Sequence, residues 1–111
     1  WAEYISGKDS LSKRKETIRR FKDRERSVLI GSNILSEGID IPEITVMINA
    51  GGGKSKTNYY QKIGRCVRLF EGKTRAIVID FLDADIKFLS KHAQARINIV
   101  KEESLYKLII K

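Results

Sequence analysis

Ser27-Val28-Leu29-Ile30-Gly31-Ser32 is the stretch from which the fold is read. Apolar, partly β-branched residues follow one another with no polar alternation, and a glycine closes the run. That is the pattern of a strand covered on both faces, as in a parallel sheet. The same pattern returns at Ile44-Thr45-Val46-Met47-Ile48 and at Ala76-Ile77-Val78-Ile79-Asp80, with Phe81 and Leu82 continuing the latter. Upstream, Glu3-Tyr4-Ile5-Ser6 reads as a short strand ending at Gly7. Between these runs the period changes. Leu11, Ile18 and Phe21 recur at helical spacing, so residues 10–24 read as an amphipathic helix with Asp9 or Ser10 as its cap. Residues 57–69 form a second helix, ended near Gly72. Ile86, Leu89, Ala93, Ile97 and Val100 mark a third, capped by Asp83 or Asp85. Pro42 cannot donate to a ladder, so Ile41-Pro42-Glu43 is connection. Short strands alternating with helices give an α/β fold, a parallel β-sheet flanked by helices on both faces. The working loops of such sheets lie at the carboxyl ends of the strands. Here those are Gly7-Lys8 and residues 31–40, 50–56 and 80–83.

The chain has 111 residues, 41% hydrophobic and 32% charged, enough for one core and one domain. Residues 1–103 are assigned to that domain and 104–111 to a carboxyl-terminal extension. No apolar run exceeds strand length, so no membrane-spanning helix is expected. There is no secretory pattern, and Trp1 rather than methionine comes first, so a piece of a longer protein is expected. One cysteine, Cys66, excludes an internal disulfide framework and a cysteine-rich zinc site, and suits a reduced intracellular compartment, cytoplasmic, nucleoid or nuclear. The net charge is +8. Residues 32–50 carry three acids and no base, whereas residues 51–75 carry seven bases and one acid. A polyanion, either nucleic acid or nucleotide phosphate, is the natural partner of the second stretch. A merely basic solvated surface would have the same composition.

Gly53-Lys54-Ser55 sits between a strand and a helix, the context of a Walker A phosphate loop. That motif needs a glycine five positions before Gly53, where Ile48 stands inside the strand. The loop is too short to wrap a triphosphate. It reads instead as a flexible loop in which exposed amides, Lys54 and Lys56 can touch phosphate. Gln61-Lys62-Ile63-Gly64-Arg65-Cys66-Val67-Arg68 carries more chemistry. On a helix, Gln61, Arg65 and Arg68 share one face, and Gly64 leaves room for close approach. Two permanently charged forks and an amide on one stripe suit a phosphoryl group.

With Ser32-Asn33-Ile34-Leu35-Ser36-Glu37-Gly38-Ile39-Asp40 about twenty residues ahead of it, this segment resembles motifs V and VI of the superfamily-2 helicases. The resemblance covers residues 4 to about 83. It implies the carboxyl-terminal RecA-like lobe, a P-loop NTPase-like fold without a Walker A, whose first strand, with motif IV, is missing before Trp1. It further implies an ATP-dependent enzyme, a helicase and ATP hydrolase, with ATP and Mg²⁺ held mainly by an amino-terminal RecA-like lobe. This fragment alone is then expected to be inactive. By the same resemblance Arg65 and Arg68 act as arginine fingers across the lobe interface and Gln61 senses the γ-phosphate. Gly38 and Asp40 meet the nucleotide, Asp40 at the ribose. Ser32 and the Gly7 amide hold nucleic-acid backbone phosphates, with Lys54 and Lys56 nearby. Glu37 and Gln61, where the RNA-directed DEAD-box branch has arginine and histidine, resemble the DNA translocase branches, including repair and phage recombination helicases, so DNA is the expected polymer. A nucleic-acid-binding module that kept the lobe fold without ATPase activity is the competing expectation.

Other chemistry-bearing residues read as structural. His92 has no second ligand at metal spacing and is a surface or packing histidine. Cys66, between the arginines, is a small packing residue, although their field could lower its pKa. Tyr59 and Tyr60 pack at a helix start, with base stacking as the alternative. Asp80, Asp83 and Asp85 serve as strand-end and capping carboxylates, with Mg²⁺ as the alternative reading. No resident metal site is expected.

Overall fold

The computed structural model describes residues 1–32 and 40–111. The order is β1 (Ala2–Ile5), α1 (Leu11–Lys22), β2 (Val28–Gly31), β3 (Val46–Asn49), α2 (Lys56–Cys66), β4 (Ile77–Asp80) and α3 (Lys87–Lys101). All pairing is parallel. β1 runs beside β2 with Ile5 opposite Gly31, and β3 runs beside β4 with Asn49 opposite Asp80. Each pair therefore ends its strands side by side, which gathers the loops that follow. Among the described residues the parallel strands are hydrogen-bonded as two pairs, β1–β2 and β3–β4.

Among the described residues the strands are covered on one face only. Glu3, Ile5 and Leu29 turn inward, while Tyr4, Val28 and Ile30 stay exposed; Met47 and Val78 turn inward, while Val46, Ile48, Ile77 and Ile79 stay exposed. Uninterrupted apolar runs are thus half-covered here, because successive side chains alternate between faces and helices cover one face of each pair. Ile63 and Tyr59 from α2 and Ile99 from α3 form the buried cluster on the β3–β4 unit, with Met47, Val78, Val100 and Tyr106 around it.

Helix starts and stops account for most differences from the sequence reading. Ser10 caps α1 by accepting from the Lys13 amide, as one of the two candidates. α1 buries Thr17 and leaves Leu11 exposed, so its apolar stripe is narrower than its spacing implied. α3 begins after Ile86 with no side-chain cap, so neither Asp83 nor Asp85 holds its first amides. Its buried positions are Ala93, Arg96 and Ile99, and the middle one is a cation. α2 stops at Cys66 rather than continuing to residue 69. At that end Lys73 Nζ donates to the Cys66 carbonyl and thereby supplies the partner a further helical turn would have given. The Val67 amide closes the helix on the Ile63 carbonyl at 3.0 Å.

Burial sets the expected response to truncation. Ile63→Ala, at a 3% exposed side chain, is expected to lower the unfolding free energy of this chain by about 3 kcal/mol. Ile48→Ala, at 60% exposure, should change it by less than about 1 kcal/mol. Denaturant titration of the two variants checks this, and equal losses would contradict the half-covered strands.

Candidate functional site

At the carboxyl end of the β1–β2 pair, the Ser32 amide donates to the Ile5 carbonyl at 3.4 Å and carries the ladder one residue past the strands. The next turn is wound on Asp9. Its carboxylate accepts from the Ser6 amide at 2.8 Å and from Lys13 at 2.6 Å, and its own amide donates to the Ser6 carbonyl. The Lys13 and Ser6 contacts hold the Asp9 carboxyl below its ordinary value. Gly7 and Ser32 are thereby brought to the same edge. A Cβ on Gly7 would meet nothing within 4 Å, so the space beside this residue is open.

At the carboxyl end of the β3–β4 pair, Asp80 is the meeting point. Arg96 Nε donates to one carboxylate oxygen at 2.8 Å and Nη2 to the other at 3.1 Å. The Tyr59 hydroxyl donates at 2.8 Å and the Asn49 amide at 3.2 Å. Burial pushes the Asp80 carboxyl up, but the bonds from Arg96, Tyr59, the Phe81 amide and Asn49 outweigh it and leave it below its ordinary value. Tyr59, buried and facing that carboxylate, is raised. Arg96 Nη1 also donates to the Gly53 carbonyl at 2.6 Å. Gly52 and Gly53 adopt φ of 67° and 94° around that contact, a region that favours glycine. The glycine loop is therefore folded onto a guanidinium, and Ser55 is the N-cap of α2, accepting from the Asn58 amide.

α2 presents Gln61 exposed and Arg65 half-buried, four residues apart. Arg68 lies beyond the end of the helix, so a shared helical face does not bring it to them. It is held instead by Asp40, whose Oδ1 accepts from Nη1 at 2.8 Å. Lys73 braces this contact by donating to the Pro42 carbonyl at 3.1 Å as well as to that of Cys66. The motif V aspartate and a motif VI arginine thus meet. Glu37 and Gly38 lie outside the described residues. Lys54 is exposed, whereas Lys56 donates to Glu102 at 2.6 Å with its ammonium 5.7 Å from the Tyr60 ring centroid.

Arg96 and Lys73 were not singled out from sequence. A basic residue soon after a helix end is a recognised cap for its last carbonyls, which would have flagged Lys73. Arg96 occupies a core position of an otherwise apolar stripe, a signal that was readable. Cys66 is fully buried, and burial pushes its thiol up, which fits the packing reading. His92 packs on Phe88 with ring centroids 4.2 Å apart. Tyr59 is core rather than a stacking platform. Asp80 is taken up by Arg96, and among the described residues no three His, Cys, Asp or Glu side chains gather as a metal site. Among the same residues no helix is long and apolar enough to cross a membrane.

Residues 2–70 match the family described as Helicase conserved C-terminal domain. The chain belongs to this family. It is 33% identical over 64 residues to the DNA 3'-5' translocase XPB2 of Sulfurisphaera tokodaii, covering 58% of this chain and 15% of that protein. It is 28% identical over 97 residues to DEAD-box ATP-dependent RNA helicase 27 of Oryza sativa subsp. japonica, covering 87% and 16%. A solved structure of a Dbp5 variant of S. cerevisiae bound to RNA and ADP BeF3 superposes with a TM-score of 0.69 at 25% identity, covering 88% of this chain and 25% of that one. The chain thus spans less than a fifth of the curated relatives named here. It is a superfamily-2 helicase carboxyl-terminal lobe, RecA-like in fold, of a kind found in ATP-dependent helicases of both DNA and RNA.

The Asp80 carboxyl gives the site a pH signature. Its folded value lies below the ordinary 3.8, so its stabilisation is complete above that value and is lost as pH falls through the folded one. Asp80→Asn, which strands a buried guanidinium, should destabilise the chain by about 3 kcal/mol at neutral pH. The gap in melting temperature between wild type and variant is expected to narrow below pH 3.8. A gap that fails to narrow there contradicts this account.

Proposed function

We propose that the chain is the carboxyl-terminal motor lobe of an ATP-dependent DNA helicase or translocase, working against an amino-terminal RecA-like lobe of the same protein. The observation that carries the reading is the 2.8 Å contact between Arg68 and Asp40. It sets a guanidinium and a carboxylate, 28 residues apart in sequence, at one place. A nucleotide offers both complementary groups, a ribose hydroxyl for Asp40 and phosphate oxygens for Arg68. Donor chemistry supports the assignment. The Arg68 side chain is 56% exposed and engages Asp40 through Nη1, so its other donors remain presentable. Gln61 and Arg65 supply further donors from α2. The described residues fit an anion, and by the resemblance to superfamily-2 helicases Mg²⁺ is assigned to the other lobe.

ATP supplies the phosphoryl group whose transfer to water drives the cycle. Arg65 and Arg68 stabilise the negative charge on the terminal phosphate, Arg65 as a donor carried on a seated helix and Arg68 after exchanging Asp40 for phosphate. Gln61 links that phosphate to the facing lobe, and Gly38 and Asp40 hold the nucleotide. Ser32 and the Gly7 amide bind backbone phosphates, with Lys54 and Lys56 adding positive charge. Such contacts place a strand without reading its sequence. DNA is favoured by Glu37 and Gln61, and by the likeness to a DNA translocase. The fragment alone holds too few of the nucleotide contacts to hydrolyse ATP, and the whole protein acts inside the cell.

In the full-length protein, Arg65→Ala or Arg68→Ala is expected to reduce ATP turnover about a thousandfold while DNA affinity, read by fluorescence anisotropy, stays near wild type. Equal loss of both functions would reject the finger role. An absence of nucleotide binding in the wild-type protein would favour the binding-module reading. Ser32→Ala is expected to lower DNA-stimulated turnover more than basal turnover, and steady-state assays with single-stranded DNA and RNA also test the choice of polymer.

A further inference from the structure

Arg96 is buried to 4% exposure among apolar neighbours on α3, an unusual place for a cation. Stability alone does not explain it, because a well-packed apolar side chain in place of a buried ion pair is often neutral or better. What an apolar side chain cannot do is reach in three directions at once. One edge of the guanidinium grips both Asp80 oxygens, Nη1 grips the Gly53 carbonyl, and Nη2 also donates to the Phe81 carbonyl at 3.2 Å. Asp80 in turn receives the Tyr59 hydroxyl, and Asn49 receives Lys62 Nζ at 3.2 Å. Tyr59 and Lys62 are both on α2, three residues apart and on either side of Gln61 in sequence, with Lys62 about one turn ahead of Arg65. The rotation of α2 is thereby fixed through the same carboxylate and guanidinium that fix the glycine loop.

We propose that Arg96 is a positioning residue that couples the 51–53 loop to helix α2, so that a polyanion seated at Lys54 resets Gln61 and Arg65. This rests on the reading of α2 as the carrier of an arginine finger. The loop backbone cannot shift at Gly53 without moving or releasing Nη1, and the guanidinium is rigid. Displacement therefore passes to Asp80 and on to Tyr59. Lysine keeps the charge but has no fork, so it cannot hold the carboxylate and the Gly53 carbonyl together.

The test compares wild type and Arg96→Lys in the full-length protein by three readouts. These are ATP turnover with and without single-stranded DNA, hydrogen exchange over residues 51–66, and thermal unfolding. The variant is expected to unfold cooperatively and to keep its KM for ATP within about twofold. Its ratio of stimulated to basal turnover should fall about tenfold. Amides of the loop and of α2 should exchange faster. An intact ratio, or basal and stimulated turnover falling by one common factor, overturns the proposal. Should Arg96→Lys fail to fold, Tyr59→Phe removes a single link at constant shape, and it must lower the ratio in the same direction for the proposal to stand. Should the wild-type protein show no DNA-stimulated turnover, the motor reading fails. The exchange comparison then decides the coupling by itself, since unchanged protection of α2 overturns it.

Discussion

The buried fork between Arg96 and Asp80 is the constraint on which the β3–β4 half depends. A guanidinium removed from water needs acceptors for its donors, because an unpaired buried charge costs several kcal/mol, comparable to much of a small domain's stability. Here the acceptors are the Asp80 carboxylate and the Gly53 and Phe81 carbonyls. Each acceptor belongs to a different piece: the end of β4, the glycine loop, and the residue that leaves the strand. Satisfying one side chain thus sets the register of α3 against β4, the curl of the loop, and through Tyr59 the seat of α2. The apolar cluster of Tyr59, Ile63 and Ile99 supplies burial without direction, and the fork supplies direction.

Charge is distributed differently in space than in sequence. Residues 1–31 hold nine basic residues, yet many are matched locally. Arg19 meets Glu16, Asp23 and Glu25; Arg20 meets Glu3 and Glu16; Arg26 meets Glu3; Lys13 meets Asp9. Exposed pairs of this kind are worth only about 0–1 kcal/mol each. Their larger consequence is for the field, since a matched arginine attracts a distant polyanion less than a solitary one. The basic helix α1 is in this sense quieter than its composition.

How much was legible follows from what kind of signal each feature leaves. The strands announced themselves because consecutive apolar residues between glycines leave little else. Their sidedness did not, because an apolar run looks the same whether one face or both are covered. The motif residues were legible as types at fixed spacing, and Arg65 and Gln61 do share α2. Arg68 was misplaced geometrically. The expectation of a continuous helix to residue 69 took no account of Lys73, which reaches back from after the turn to take the Cys66 carbonyl. That contact joins residues 7 apart through a side chain, and no periodicity encodes it. Arg96 is the opposite case, since a charged residue at a core position of α3 is itself a readable signal. Its partner Asp80 is legible as a strand-end carboxylate, but sequence spacing does not encode which cation it holds.

The end of α2 at Cys66 has a functional consequence of its own. Had the helix continued, Arg68 would share the rigid axis of Arg65, and the two guanidiniums would move only as one body. Released from the helix, Arg68 is positioned by Asp40 and by the brace of Lys73 on Pro42. Its contact is exposed on both sides, with Arg68 at 56% and Asp40 at 62%, so exchanging the carboxylate for another anion costs little. Arg65, by contrast, moves with a helix whose seat is fixed through Tyr59 and Lys62. One arginine is therefore set by the core and the other by a weak surface pair. Under the proposed function, such an arrangement would keep one donor preorganised and let the second adapt to the phosphate.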